Sequence, residues 1–161
     1  MKRMKRLFAN ELYTAMEKNT NIWVITSDLG YKMWDEIRDT FPERFMNVGA
    51  AEQSMMGIGV GLALKGKIPF VYSISSFVLY RAFETIRNYI HHERIPVKII
   101  GSGRNKDYDR DGFSHWAPED KEVLNVLHNI TGYWPTKDKE IPPLIQEVIK
   151  NGAPCYINLK R

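Results

Sequence analysis

Apolar positions along this chain switch repeatedly between two periods. Residues 3–19 set Leu7, Leu12, Ala15 and Met16 on one side of a 3.6-residue repeat, which predicts an amphipathic helix. Residues 21–26 are instead a short β-branched run, and Ser27-Asp28-Leu29-Gly30 follows as a turn. The same reading places a short helix at 34–38, ending before Phe41-Pro42, and a strand at 44–48. A long helix follows at 51–65, closed by Gly66, then a strand at 67–72, a helix at 77–91 and a strand at 96–101. After a polar loop from Ser102 to about Trp116 come a helix at 118–128, a strand at 130–134, a helix at 138–150 and a strand at 155–159. Strands alternating with helices of this length predict an α/β fold. It is a single domain over residues 1–161, with a mostly parallel sheet and helices on both faces.

Ligands of such sheets bind beyond the carboxyl ends of the strands. That singles out four loops, at 27–31, 49–53, 73–77 and 101–117. Composition narrows the classes. A hydrophobic fraction of 43% with 26% charged residues is that of an ordered globular chain. No apolar run reaches the roughly 18 residues of a membrane span. The basic start is interrupted by Asn10 and Glu11, unlike a signal peptide. The formal charge is +4, but 23 basic residues are interleaved with 19 acids, which speaks against nucleic acid as partner. Only Lys2, Arg3, Lys5 and Arg6 cluster, as expected for the solvated face of the first helix. The single cysteine, Cys155, reads as a small core residue and suits a reducing cytoplasm. His91 and His92 fall at a helix end, where they are expected to cap carbonyls.

Glu52 stands out. It opens a helix, where the dipole favours an acid, but Gly57, Gly59 and Gly61 follow inside that helix. Each interior glycine costs about 1 kcal/mol relative to alanine, so three imply a close approach of another backbone. Met55, Met56, Ile58, Val60 and Leu62 make the helix apolar on most sides, which points to burial in a subunit contact. Such a contact would desolvate Glu52 and raise its pKa.

From Phe41 onward the chain carries Phe41-Pro42, Arg44-Phe45, Asn47-Val48-Gly49, Ala51-Glu52-Gln53, the glycine-spaced helix and Gly66-x-x-Pro69-Phe70. In order and spacing this resembles the pyrimidine-binding domain of transketolases and 1-deoxyxylulose-phosphate synthases, and the likeness extends more loosely over nearly the whole chain. The resemblance implies thiamine diphosphate with Mg2+ as cofactors. Glu52 would hydrogen-bond the aminopyrimidine and stabilise its imino tautomer, acting as catalytic and cofactor-binding residue, with Gln53 beside it. Phe77 and Tyr80 match the aromatics that wall the pyrimidine, and Ile74 stands where transketolases commonly have another. Asp28 matches an aspartate-bearing turn that approaches the thiazolium. Asp111-Gly-Phe-Ser-His115 is similar to the family's Asp-Gly-x-Thr-His, so Asp111 and His115 would reach substrate, His115 also as a catalytic residue. Arg81 matches a segment at the subunit contact and is grouped with the substrate-binding residues. Taken from local sequence alone, the aromatics read first as core residues of a helix start, and Asp28 reads equally as a turn-stabilising acid.

Departures from the pattern limit what carries over. Gly103 stands near a transketolase histidine, Trp134-Pro135 replaces an Arg-Pro, and the domain that usually follows in transketolases is not part of the 161 residues. The family holds its diphosphate through a metal on a Gly-Asp-Gly segment, which this sequence lacks. The expectation is therefore a split enzyme that moves a two-carbon unit from a ketose or 2-oxo acid. A separate diphosphate-binding subunit holds metal and diphosphate, in a two-plus-two heterotetramer or around a homodimer of this chain. The alternatives are the β-type subunit of a 2-oxo-acid decarboxylase or dehydrogenase, and a non-catalytic binding module of the same fold.

Overall fold

The computed structural model describes residues 3–161. Six strands form one sheet: β1 (Ile22–Thr26), β2 (Phe45–Asn47), β3 (Ile68–Ile74), β4 (Lys98–Ser102), β5 (Thr131–Tyr133) and β6 (Cys155–Leu159). Their spatial order is β2-β1-β3-β4-β6-β5, and every pairing is parallel. β3, β4 and β6 are buried almost throughout, which is why their sequences run apolar without alternating.

Helices cover both faces. Phe8, Leu12 and Met16 of α1 (Arg3–Lys18) pack on one side with Ile37 of α2 (Asp35–Thr40) and with Ile141, Ile145 and Val148 of α6 (Ile141–Lys150). On the other side lie Met55, Met56 and Val60 of α3 (Glu52–Leu64), Ile86 and Ile90, and Leu124 of α5 (Asp120–Val126). No helix of the described residues is long and apolar enough to cross a membrane.

The helix expected at 77–91 forms, but not as a regular α-helix. Only α4 (Phe83–Thr85) is α-helical, and π-helical turns flank it at Phe77–Arg81 and Ile86–His92. Side-chain periodicity does not distinguish a π turn from an α turn over so few residues, and such turns are frequent at functional sites.

Two expectations are corrected here. Lys5 is not on a solvated face: it is buried and its Nζ donates to Ser102 Oγ at 2.5 Å, while Arg3 does lie outside, paired with Asp138. Lys2 falls outside the described residues. His91 does not serve as a carbonyl cap; its Nδ1 accepts the Asn129 backbone N–H at 3.3 Å. In the free chain the glycine-bearing helix packs one face on its own sheet and leaves another exposed. A Cβ on Gly59 would come within 2.8 Å of Val71 Cγ1, so Gly59 is the close approach to the helix's own sheet. Gly57 and Gly61 face open space on an exposed, uncharged flank with Leu64. Gly57→Ala and Gly61→Ala should therefore each stabilise the free chain by up to about 1 kcal/mol. Gly59→Ala should destabilise it, because stiff, buried Val71 has to move. Urea unfolding of the three variants reads the difference in sign.

Cys155 is fully buried, and burial pushes its thiol up to about 12, with Lys98 opposing. It is an inert core residue.

Candidate active site at the carboxyl ends of β1 and β3

From β1 the chain moves outward to β2, then returns through α3 to β3 on the opposite side of β1. The direction of winding reverses there, which leaves a crevice beyond the carboxyl ends of β1 and β3. Asn47 and Ser27 fix the crevice wall. Asn47 Oδ1 accepts the backbone N–H groups of Asp28 and Gly49, both at 3.0 Å. Ser27 Oγ donates to the Gly49 carbonyl at 2.8 Å and accepts the Ala51 N–H at 3.1 Å. α3 has no side-chain cap from Ala51, so this hydroxyl from another strand satisfies an N–H at its entrance.

That geometry delivers Glu52 into the crevice. Its side chain is 3% exposed; Oε1 accepts from Ser73 Oγ at 3.0 Å and Oε2 from Arg81 Nη1 at 2.8 Å. The Arg81 guanidinium also lies over the Phe77 ring, 3.6 Å from its centroid. The His115 ring packs against Phe77 with centroids 4.8 Å apart, and its Nδ1 is 3.0 Å from Ser114 Oγ. Ser76 Oγ donates to the Ser114 carbonyl at 2.8 Å and ties this loop to the end of β3. Carboxyl, aromatic face, guanidinium and imidazole from three chain segments thus form one cluster.

The charge state of Glu52 differs from the sequence expectation. Burial pushes its carboxyl up, but the Arg81 guanidinium, its own backbone N–H and the hydroxyls of Ser73 and Ser27 outweigh that, so it lies below its ordinary value of 4.5. Glu52 is ionised in the free chain. A folded-state pKa below the unfolded one contributes stability that is complete above about pH 4.5 and is lost as pH falls through the folded value. Glu52→Gln should accordingly flatten part of the acid limb of a stability–pH profile measured with urea. An unchanged acid limb would show that Arg81 and the hydroxyls do not hold the carboxylate.

The remaining residues singled out by sequence scatter. Ile74 ends β3 and is buried in the crevice wall. Tyr80 is 36% exposed, and burial and a hydrogen bond to Glu119 raise its phenol. Asp28 sits in a left-handed turn (φ +47°), and its exposed carboxylate accepts from Tyr31 at 2.5 Å. Gln53 points away from Glu52 and donates to Thr85 Oγ1 at 2.7 Å. Asp111 pairs with Arg161 at 3.2 Å rather than joining His115. Sequence reasoning passed over Ser27 and Ser73 as site residues; the one signal was hydroxyls at the ends of otherwise apolar strands. Behind the His115 loop lies a further anchor. Buried Asp120 Oδ2 accepts from Asn158 (2.7 Å), Trp134 (2.9 Å) and Tyr156 (3.1 Å), and Asn158 in turn donates to Ser75 and the Gly103 carbonyl.

Beside the turn after β1 lies a pocket of about 470 Å3, lined by Lys5, Lys32, Tyr72, Tyr108 and Arg161. A larger groove, about 810 Å3, runs between Arg87, His91 and Val126, apart from all four strand-end loops. The first has the better claim to chemistry because it opens where the sheet's ligand loops converge.

Residues 1–161 match the family described as transketolase, pyrimidine binding domain. A protein of Methanocaldococcus jannaschii, provisionally named the C-terminal section of a transketolase, is 33% identical over 161 residues, 99% of this chain and 51% of that one. An apulose-4-phosphate transketolase subunit from Actinobacillus succinogenes is 32% identical over 119 residues, 74% of this chain and 38% of that one. A solved structure described as a split-gene transketolase, inactive beta4 tetramer, superposes with a TM-score of 0.86 at 32% identity, covering 98% of this chain and 50% of that one. The chain thus spans about half the length of these relatives, or less. With its sheet, its crevice and the family match running end to end, the chain belongs to the transketolase pyrimidine-binding-domain family.

Proposed function

We propose that this chain is the pyrimidine-binding subunit of a split, thiamine-diphosphate-dependent transketolase-like enzyme that transfers a two-carbon unit and works only with a diphosphate-binding partner. One observation carries the reading: Glu52, sealed from water at the start of α3, faces the same guanidinium that covers the Phe77 ring. A flat aminopyrimidine needs a carboxyl for a ring nitrogen and an aromatic plate for its face, and the two stand together here.

When bound, thiamine diphosphate supplies the carbon nucleophile that carries the two-carbon unit. Glu52 then serves as proton donor and acceptor toward the ring nitrogen, which requires it to be protonated part of the time. Phe77 holds the ring, with Ile74 and Tyr80 as further wall. His115 hydrogen-bonds the substrate's oxygens from the loop above, and Asp28 lies toward the thiazolium side. Gln53 and Asp111, engaged elsewhere, are assigned secondary parts in cofactor and substrate binding. The pocket with Lys5, Lys32 and Arg161 offers positive charge to an anionic ketose or 2-oxo acid.

Metal and diphosphate fall to the partner in this reading, because the sequence lacks the Gly-Asp-Gly segment that holds them in the family. The exposed, uncharged flank of α3, with Gly57, Gly61 and Leu64, supports its burial in a heterotetramer. Reconstitution tests this. The chain mixed with its diphosphate-binding partner, cofactor and Mg2+ should move two-carbon units between a ketose and an aldehyde. A complex that binds cofactor but only decarboxylates 2-oxo acids would move the assignment to the β-type subunit of that chemistry.

A further inference from the structure

Two independent contacts converge on one side chain. The Arg81 guanidinium lies flat over Phe77 at 3.6 Å, and its Nη1 donates to Glu52 Oε2 at 2.8 Å. The other carboxylate oxygen is engaged by Ser73. One guanidinium therefore occupies both surfaces that a pyrimidine ring would use. It is also the outer layer: the Arg81 side chain is 47% exposed, whereas that of Glu52 is 3% exposed.

We propose that Arg81 is a latch that closes the pyrimidine seat in the free chain, and that it has to swing toward solvent before the cofactor ring enters. The inference rests on the reading of Glu52 and Phe77 as that seat. The contacts suit a latch rather than a permanent tie. An ion pair and a cation–π contact at a half-exposed side chain are weak enough to be exchanged for new partners. Release also changes the chemistry. With the guanidinium gone, burial is the largest influence left on Glu52 and favours its protonated form, which can donate to a ring nitrogen. Opening the seat and arming the carboxyl become one event, so an unassembled chain is held in the ionised, covered state.

A positioning role for Arg81 gives the opposite sign, which makes the test direct. Wild-type, Arg81→Gln and Arg81→Lys chains are each assembled with the diphosphate-binding partner and titrated calorimetrically with thiamine diphosphate and Mg2+. The full-length free chain, labelled with 13C at glutamate Cδ, is titrated by NMR in parallel. The latch predicts that Arg81→Gln binds the cofactor at least about fivefold more tightly than wild type. It also predicts that Glu52 titrates higher in that variant. Arg81→Lys keeps the charge without the flat ring contact and should fall between; if Arg81→Gln fails to fold, tighter binding by Arg81→Lys supports the latch in its place. Equal or weaker cofactor binding overturns the latch. If the assembled wild type and Glu52→Gln bind and turn over alike, it is the seat that fails, a separate outcome.

Discussion

Glu52→Gln in the assembled enzyme lowers turnover by about two to four orders of magnitude. The amide keeps the size of the carboxyl and can still accept from Ser73, so the crevice should hold its shape. What it loses is the ability to give up and regain a proton at the ring nitrogen. The stability cost is small, because the partner left behind, Arg81, is half exposed and returns to water. Circular dichroism and the thermal midpoint therefore stay near wild type while kcat falls. A Glu52→Gln enzyme with near-normal kcat would remove Glu52 from the chemistry and leave it as a buried ion-pair partner.

His115→Gln is the second large effect. The imidazole packs against the Phe77 ring from the 103–117 loop but makes no contact with Glu52 among the hydrogen bonds of the crevice. Its loss should therefore act on substrate more than on cofactor. We expect kcat/KM to fall by about 10²-fold or more while the affinity for thiamine diphosphate changes less than about threefold. Steady-state kinetics with calorimetry on the same preparation separates the two. Equal losses in both would mean that His115 only supports the Phe77 ring. The loop is well enough braced for the comparison, since Asn158, itself held by Asp120, bonds the Gly103 carbonyl and Ser76 bonds the Ser114 carbonyl, both without His115.

Much of the scaffold follows from local sequence. Alternating periods predict all six strands and the helices between them, because apolar runs such as Phe70–Val71 and Ile99–Ile100 are buried whatever their neighbours. Glu52 is legible as well, from its place at the head of a glycine-bearing helix. What the sequence leaves open depends on pairs far apart in the chain. Nothing local says that Lys5 will reach Ser102, 97 residues on, or that Asp111 will meet Arg161, 50 residues on. The π turns at Phe77–Arg81 escape a periodicity argument, yet they are where Arg81 comes to lie over Phe77. The sign of the Glu52 shift fails for the same reason: burial was foreseen, and a guanidinium arriving from 29 residues away was not. The glycines divide between the two sources. Gly59 serves the chain's own sheet, and Gly57 and Gly61 are left facing outward, on the flank proposed for the subunit contact.

In the proposed function, Glu52 and Phe77 are one part of a cofactor site completed by a diphosphate-binding partner. Calorimetry with thiamine diphosphate and Mg2+ on the isolated chain, and on the chain co-purified with that partner, tests it most directly. The complex should bind at least about 100-fold more tightly, a coupling of about 2.7 kcal/mol. Binding by the isolated chain as tight as by the complex would contradict it.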